Sequence, residues 1–120
     1  MAKVLIVEDA PFIREMIRDI LESHDHEISG EAANGLEAIE KYKALKPDVV
    51  LMDILMPGMD GLSAIMKIVE LDPKAKIIVV SALVKEALRK EAMRAGAIDF
   101  VAKPFQVERL LEAVRAATTA

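Results

Sequence analysis

Five short apolar runs alternate along the chain with longer segments in which apolar residues recur at three- and four-residue spacing. The runs are Val4–Val7, the weaker His26–Ala32, Val49–Met52, Ile77–Val80 and Ile98–Ala102. Near-continuous apolar stretches of this length predict strands covered on both faces. Between them, Ile13, Met16, Ile17 and Ile20 share one helix face, as do Leu36, Ile39, Tyr42 and Leu45, and then Leu62, Ile65, Met66 and Val69. Val107, Leu110, Leu111 and Val114 form the cleanest stripe. The segment Val84–Ala95 is less apolar, with Ala87, Leu88 and Ala92, so its helix should sit more loosely on the core.

The boundaries agree with this reading. Asn34 and Asp60 stand where they can cap the helices that follow, and Gly96 where the fourth helix should stop. Pro47 and Pro73 punctuate the approaches to the third and fourth strands. Alternating strands and helices, with apolar strands, mean a parallel sheet covered on both faces and joined by right-handed crossovers. The pattern therefore predicts an α/β fold, a three-layer sandwich of five βα units.

Composition narrows the function classes. The 120 residues are read as a single domain, 1–120, and 53% hydrophobic with 30% charged residues is a globular balance rather than a disordered one. A net charge of -4 with no basic run argues against direct binding to nucleic acid or to an anionic membrane. The absence of Cys excludes disulfides, thiol catalysis and Cys-bound metal, and fits a cytoplasmic location. Val4–Val7 is too short for a signal-peptide core or a membrane span. The last residues, Ala116–Ala120, read as a fraying helix end or a cut linker.

In an open parallel sheet, ligands bind outside the carboxyl ends of the strands. Glu8-Asp9 follow the first run, Asp53 ends the third, Ser81 follows the fourth and Lys103-Pro104 follow the fifth. The second run ends in Glu31-Ala32-Ala33-Asn34-Gly35 and adds nothing comparable. Three carboxylates brought together repel one another, and a hard divalent cation, naturally Mg²⁺, resolves the conflict. With Lys103 and a hydroxyl donor added, the set suits a phosphoryl group in transfer to an aspartyl nucleophile. Each piece alone has a plainer reading: Glu8-Asp9 as a helix cap, Asp53 as a strand-end residue bonding a turn, Ser81 as a loop residue, Lys103 as a solvated side chain. His24 and His26 read as solvated loop histidines, the methionines as core fillers, and Lys85-Glu86 with Arg89-Lys90-Glu91 as a wet helix face.

Taken together, Glu8-Asp9, the stretch from Asp53 to Gly61 (Asp53-Ile54-Leu55-Met56-Pro57-Gly58-Met59-Asp60-Gly61), Ser81-Ala82 and Lys103-Pro104-Phe105 resemble the response-regulator receiver domain, most nearly its stand-alone CheY-like members. The resemblance runs over essentially the whole chain. It implies a flavodoxin/CheY-like sheet of strand order 2-1-3-4-5 flanked by five helices. It implies that Asp53 accepts phosphate from the phosphohistidine of a sensor histidine kinase. Asp9, Asp53 and the backbone carbonyl of Leu55 would bind Mg²⁺ directly, and Glu8 largely through water. Ser81 would donate to the phosphoryl oxygens and Lys103 pair with them, with a cis Lys103-Pro104 bond. Phe100 matches the aromatic switch position. The fourth helix, fifth strand and fifth helix would form the face that changes on phosphorylation and meets an effector or motor protein. The chain would be a monomer, with phosphorylation-linked dimerisation open. Leu55 and Leu83, two residues after Asp53 and Ser81, are apolar and cannot orient an attacking water, which predicts a long phosphoryl lifetime.

Three competing readings stand beside the stand-alone chemotaxis-type receiver. One is the N-terminal receiver of a multidomain regulator such as a transcription factor, over which the stand-alone reading is favoured because no output domain is seen and the chain starts at Met. A Mg²⁺-dependent phosphohydrolase wants an acid/base carboxylate two residues beyond its nucleophile, where Leu55 stands, and a cap or pocket for which there is no room. A flavodoxin-like FMN carrier needs an amide-rich phosphate loop, whereas Glu8-Asp9-Ala10-Pro11 is anionic. The expectation is a phosphoacceptor switch with no turnover substrate of its own.

Overall fold

The computed structural model describes residues 2–56, 60–82 and 85–119. Pro57, Gly58, Met59, Leu83 and Val84, on which part of the turn motif and the lifetime expectation rest, lie outside the described residues. The elements run β1 (Lys3–Val7), α1 (Pro11–Glu22), β2 (Glu27–Ala32), α2 (Gly35–Leu45), β3 (Val49–Met52), α3 (Gly61–Leu71), β4 (Ile77–Ser81), α4 (Glu86–Ala95), β5 (Asp99–Ala102) and α5 (Val107–Thr118). All strand pairs are parallel and the order is β2-β1-β3-β4-β5.

The apolar strands divide their side chains between two cores, as period-two geometry requires. Leu5, Val7, Val50, Met52, Ile77 and Val79 pack under α2, α3 and α4. Val4, Ile6, Val49, Leu51, Ile78 and Val80 pack under α1 and α5. A strand sandwiched this way must be apolar at every position, which is why the runs show no alternation.

The predicted helix stripes hold at their centres, with Ile17, Ile39, Tyr42, Ile65, Leu110 and Val114 buried, and differ at their margins. Leu36 and Met66 are exposed, while Ala38, Ala64 and Ala113 are buried against the sheet. Small residues let each helix axis approach the strands. α4 buries only Ala92, in line with its weak stripe. Ile98, placed in the fifth run, lies before β5 and is exposed, its N–H donating to Ile77 O at 2.8 Å. Residues 116–118 belong to α5 rather than to a frayed end.

The predicted caps form: Asn34 accepts from Glu37 N–H and Asp60 from Ser63 N–H. Gly96 ends α4 at φ 123°, a conformation that penalises any side chain. The histidines are not simply solvated. His24 Nδ1 lies 2.8 Å from Ile20 O, and half-buried His26 accepts at Nδ1 from Ala2 N–H at 3.1 Å.

Candidate functional site

Strand register brings the polar residues to one edge. Val7 pairs with Met52 and Asp53 N–H donates to Val7 O at 3.0 Å, so β1 and β3 end level. Ser81 pairs with Ala102, and Lys103 N–H donates to Ser81 O at 2.8 Å, so β5 delivers Lys103 directly beside the end of β4. The Lys103-Pro104 peptide is cis, as expected. Glu8, Asp53 and Ser81 are the buried polar or charged residues among those described, at 3%, 6% and 0% exposure, and they share this edge.

Charge balance explains how two carboxylates stand being buried. Lys103 Nζ forms an ion pair with Glu8 Oε1 and lies 3.3 Å from Asp53 Oδ2. Burial is the largest influence on the ammonium and lowers its pKa. The hydrogen bond it donates to Glu8 and the charges of Asp53 and Glu8 outweigh it, so the net shift is upward. Asp53 Oδ1 accepts from Leu55 N–H at 2.9 Å. The plain reading of Asp53 as a turn-bonding residue thus holds for one oxygen, while the other faces the lysine. Glu8 is not the cap of α1: Ala10 occupies that place without a side-chain cap bond, Pro11 opens the helix, and Glu8 Oε2 accepts from Ala10 N–H at 3.2 Å.

Glu8, Asp9 and Asp53 each offer a carboxylate oxygen, and these oxygens lie within 4.8 Å of one another. Asp9 is exposed and points the cluster to solvent. An all-oxygen anionic donor set fits a hard divalent cation. Gly61 is required beneath it: a Cβ there would stand 2.4 Å from Ile54 Cα and 2.8 Å from Asp53 O.

These features match known proteins closely. Residues 4–115 fit the family model described as the response regulator receiver domain. The chain belongs to the response-regulator receiver family. It is 55% identical to the chemotaxis protein CheY of Thermotoga maritima over 93% of either chain. It is 50% identical to that of Listeria monocytogenes over 98% of either. Among solved structures, it matches a chain of the CheX–CheY–BeF3–Mg²⁺ complex of Borrelia burgdorferi with a TM-score of 0.94 and 38% identity, covering 98% of this chain and 90% of that one. Receivers of this type are phosphoacceptor switches of two-component signalling, and strand order 2-1-3-4-5 with five helices is the architecture the resemblance implied. No helix among the described residues is long and apolar enough to cross a membrane.

Phe100 is buried in the core under α2–α4. Arg109 of α5 secures its backbone, donating to Phe100 O at 3.2 Å and to Asp99 Oδ1 at 2.9 Å, while Asp99 Oδ1 accepts from Phe100 N–H at 2.8 Å. Two residues near the receiver's acidic edge were not singled out from sequence. Arg14 Nη1 donates to Glu8 O at 2.8 Å, and its Nε donates to Glu31 Oε1 at 3.1 Å. Glu31, set aside at the end of the second run, is therefore tied to the first. An arginine one turn into the helix after Glu8-Asp9, opposite an acid ending the neighbouring strand, was the available signal.

Proposed function

We propose that this receiver is a CheY-type chemotaxis switch in which Asp53 is the phosphoacceptor. The single observation that carries the reading is the position of Asp53: buried at a strand end, within reach of Lys103 on one side and of two further carboxylates on the other. Glu8, Asp9, Asp53 and the carbonyl of Leu55 hold Mg²⁺, which supplies charge neutralisation for the phosphoryl oxygens. An Asp53 carboxylate oxygen attacks phosphorus, the P–N bond to the histidine of a sensor kinase breaks, and the imidazole leaves with the bonding pair. Lys103 then moves its charge onto the acyl phosphate and Ser81 donates to it. Charge-assisted contacts of this kind are strong in a partly buried site.

Ser81 and Phe100 couple the acceptor to the surface made by α4, β5 and α5, where an effector or motor component binds. The slight anchoring of α4, with Ala92 buried and Leu88 and Ala95 only partly so, supports an element with two packings close in energy. Leu55 stands exposed where a hydrolase would carry its acid/base carboxylate, which supports a switch without a turnover substrate. With Leu83 it also supports a slow loss of phosphate, so Leu83→Glu should shorten the half-life. We read residues 1–120 as one cytoplasmic, monomeric receiver domain, and near full-length alignment with CheY proteins favours the chemotaxis assignment over a transcriptional one. Intact-mass measurement after incubation with acetyl phosphate and Mg²⁺ tests the acceptor. Wild type should gain one phosphoryl group and Asp53→Asn none; an equal adduct in both would sink the assignment.

A further inference from the structure

We infer that Arg14 is a positioning residue for cation binding, with Glu31 as its anchor. The inference rests on the reading that Glu8, Asp9 and Asp53 hold a divalent cation. The Glu8–Asp9 peptide is the first to leave β1, and its orientation decides where the exposed Asp9 carboxylate points. Strand pairing holds the peptide before it: Glu8 N–H donates to Ala32 O at 2.9 Å. The carbonyl of the Glu8–Asp9 peptide is held by Arg14 Nη1 at 2.8 Å.

A single bond from a long side chain would fix little, but Arg14 is itself locked. Its Nε donates to Glu31 Oε1 at 3.1 Å, and a guanidinium is planar, so fixing one edge sets the direction of the other. Glu31 in turn has its place set by the sheet, paired with Ile6 of β1. Both side chains are largely withdrawn from solvent, at 20% and 29% exposure. Burial raises the pKa of Glu31, but the hydrogen bonds and charges of Arg18 and Arg14 prevail and hold it below its usual value, so the anchor stays ionised. Strand register thus passes through two side chains into the metal-binding loop.

The molecule contains its own control. Arg18 donates from Nε to Glu31 Oε2 at 2.6 Å and from Nη1 to Glu22 Oε2 at 3.2 Å, but has no bond to the loop. Removing a nearby cation should, by charge alone, tighten Mg²⁺ binding. Loss of positioning does the reverse.

The test is calorimetric titration of Mg²⁺ into wild type, Arg14→Met, Glu31→Gln and Arg18→Met, with the Asp9 amide followed by NMR and stability by urea unfolding. Arg14→Met and Glu31→Gln should weaken affinity on the order of tenfold, the lower end for residues that act on a metal through its ligands. Arg18→Met should lose stability but bind Mg²⁺ as well as wild type or better. Arg14→Lys, which keeps the charge without the planar fork, should recover only part of the affinity, and it takes the place of Arg14→Met if that variant does not fold. Wild-type or tighter affinity in Arg14→Met, or equal weakening in Arg18→Met, would overturn the inference. A wild type that binds no Mg²⁺ would overturn the reading beneath it instead.

Discussion

The Lys103 ammonium lies 3.3 Å from the Asp53 carboxylate, joining two strand ends separated by 50 residues of sequence. The same nitrogen pairs with Glu8, so one cation compensates two buried anions. Lys103 is consequently a structural residue of the receiver, independently of the part proposed for it in phosphoryl transfer.

Lys103→Met should leave Glu8 and Asp53 without their counter-charge. We expect a loss of roughly 1–3 kcal/mol, less than for a fully dry pair because Lys103 keeps some solvent contact. Mg²⁺ should recover much of it by replacing the missing charge. Urea unfolding with and without Mg²⁺ measures both effects. The pKa of Lys103 is raised in the fold, so its contribution is complete below its ordinary value of 10.5 and fades as pH climbs through the higher folded value. The gap between wild type and variant should therefore close only on the alkaline side of 10.5.

Gly61→Ala should be costly although Gly61 opens an ordinary helix. The added methyl would meet backbone atoms, Ile54 Cα at 2.4 Å and Asp53 O at 2.8 Å, which have no rotamer by which to yield. Overpacking of this kind costs roughly 1–3 kcal/mol, and here the top of the range is expected. Since the displaced atoms carry Asp53, the rate of phosphorylation by acetyl phosphate should fall as well. A fully active Gly61→Ala protein would count against the rigid-loop account.

Tyr42 donates its hydroxyl to Asp72 Oδ2 at 2.7 Å, joining α2 to the end of α3. Burial is the larger cause, and the Asp72 hydrogen bond the second, in holding the phenol well above its usual pKa of 10.0. Tyr42 is the single tyrosine of the chain, so an ultraviolet titration reads it without overlap. Phenolate should form in the folded protein only well above pH 10.0, and at the ordinary value once the chain is unfolded in urea. Tyr42→Phe should cost about 1 kcal/mol.

His26 accepts the Ala2 N–H at Nδ1, a bond that protonation destroys. Burial first, then the charges of the chain's amino terminus, His24 and Arg115, lower its pKa below 6.5, with Asp25 acting weakly the other way. The depressed value means stability that is complete above pH 6.5 and lost as pH falls through the folded pKa. NMR should show His26 titrating below its ordinary value of 6.5. His26→Gln should flatten the acid limb of the stability curve over that interval.

Much of this receiver was legible in its sequence because parallel strands and their exits leave strong marks. Val49–Met52 had to be buried on both faces to be apolar throughout, so the carboxylate that follows had to stand at an edge. Glu8, Ser81 and Lys103 could be set beside it from the same rule, since all five strands point one way. Caps at Asn34 and Asp60 were equally local, each a side chain bonding an amide three residues on.

What the sequence could not supply was decided by distances between elements remote along the chain. The stripe on α2 pointed to Leu36, yet Ala38 meets the sheet, because how closely a helix packs is set by its neighbours and not by its own period. Glu31 looked inert in a weak run until the pairing of β2 with β1 placed it under Arg14. His26 looked solvated until the start of β1 came to rest against it. Sequence alone thus determined the alternation of apolar strands with helices and the identity of the polar edge. The tertiary structure decided which charges meet there, because ion pairing falls off over a few ångströms and no pattern along the chain encodes such a separation.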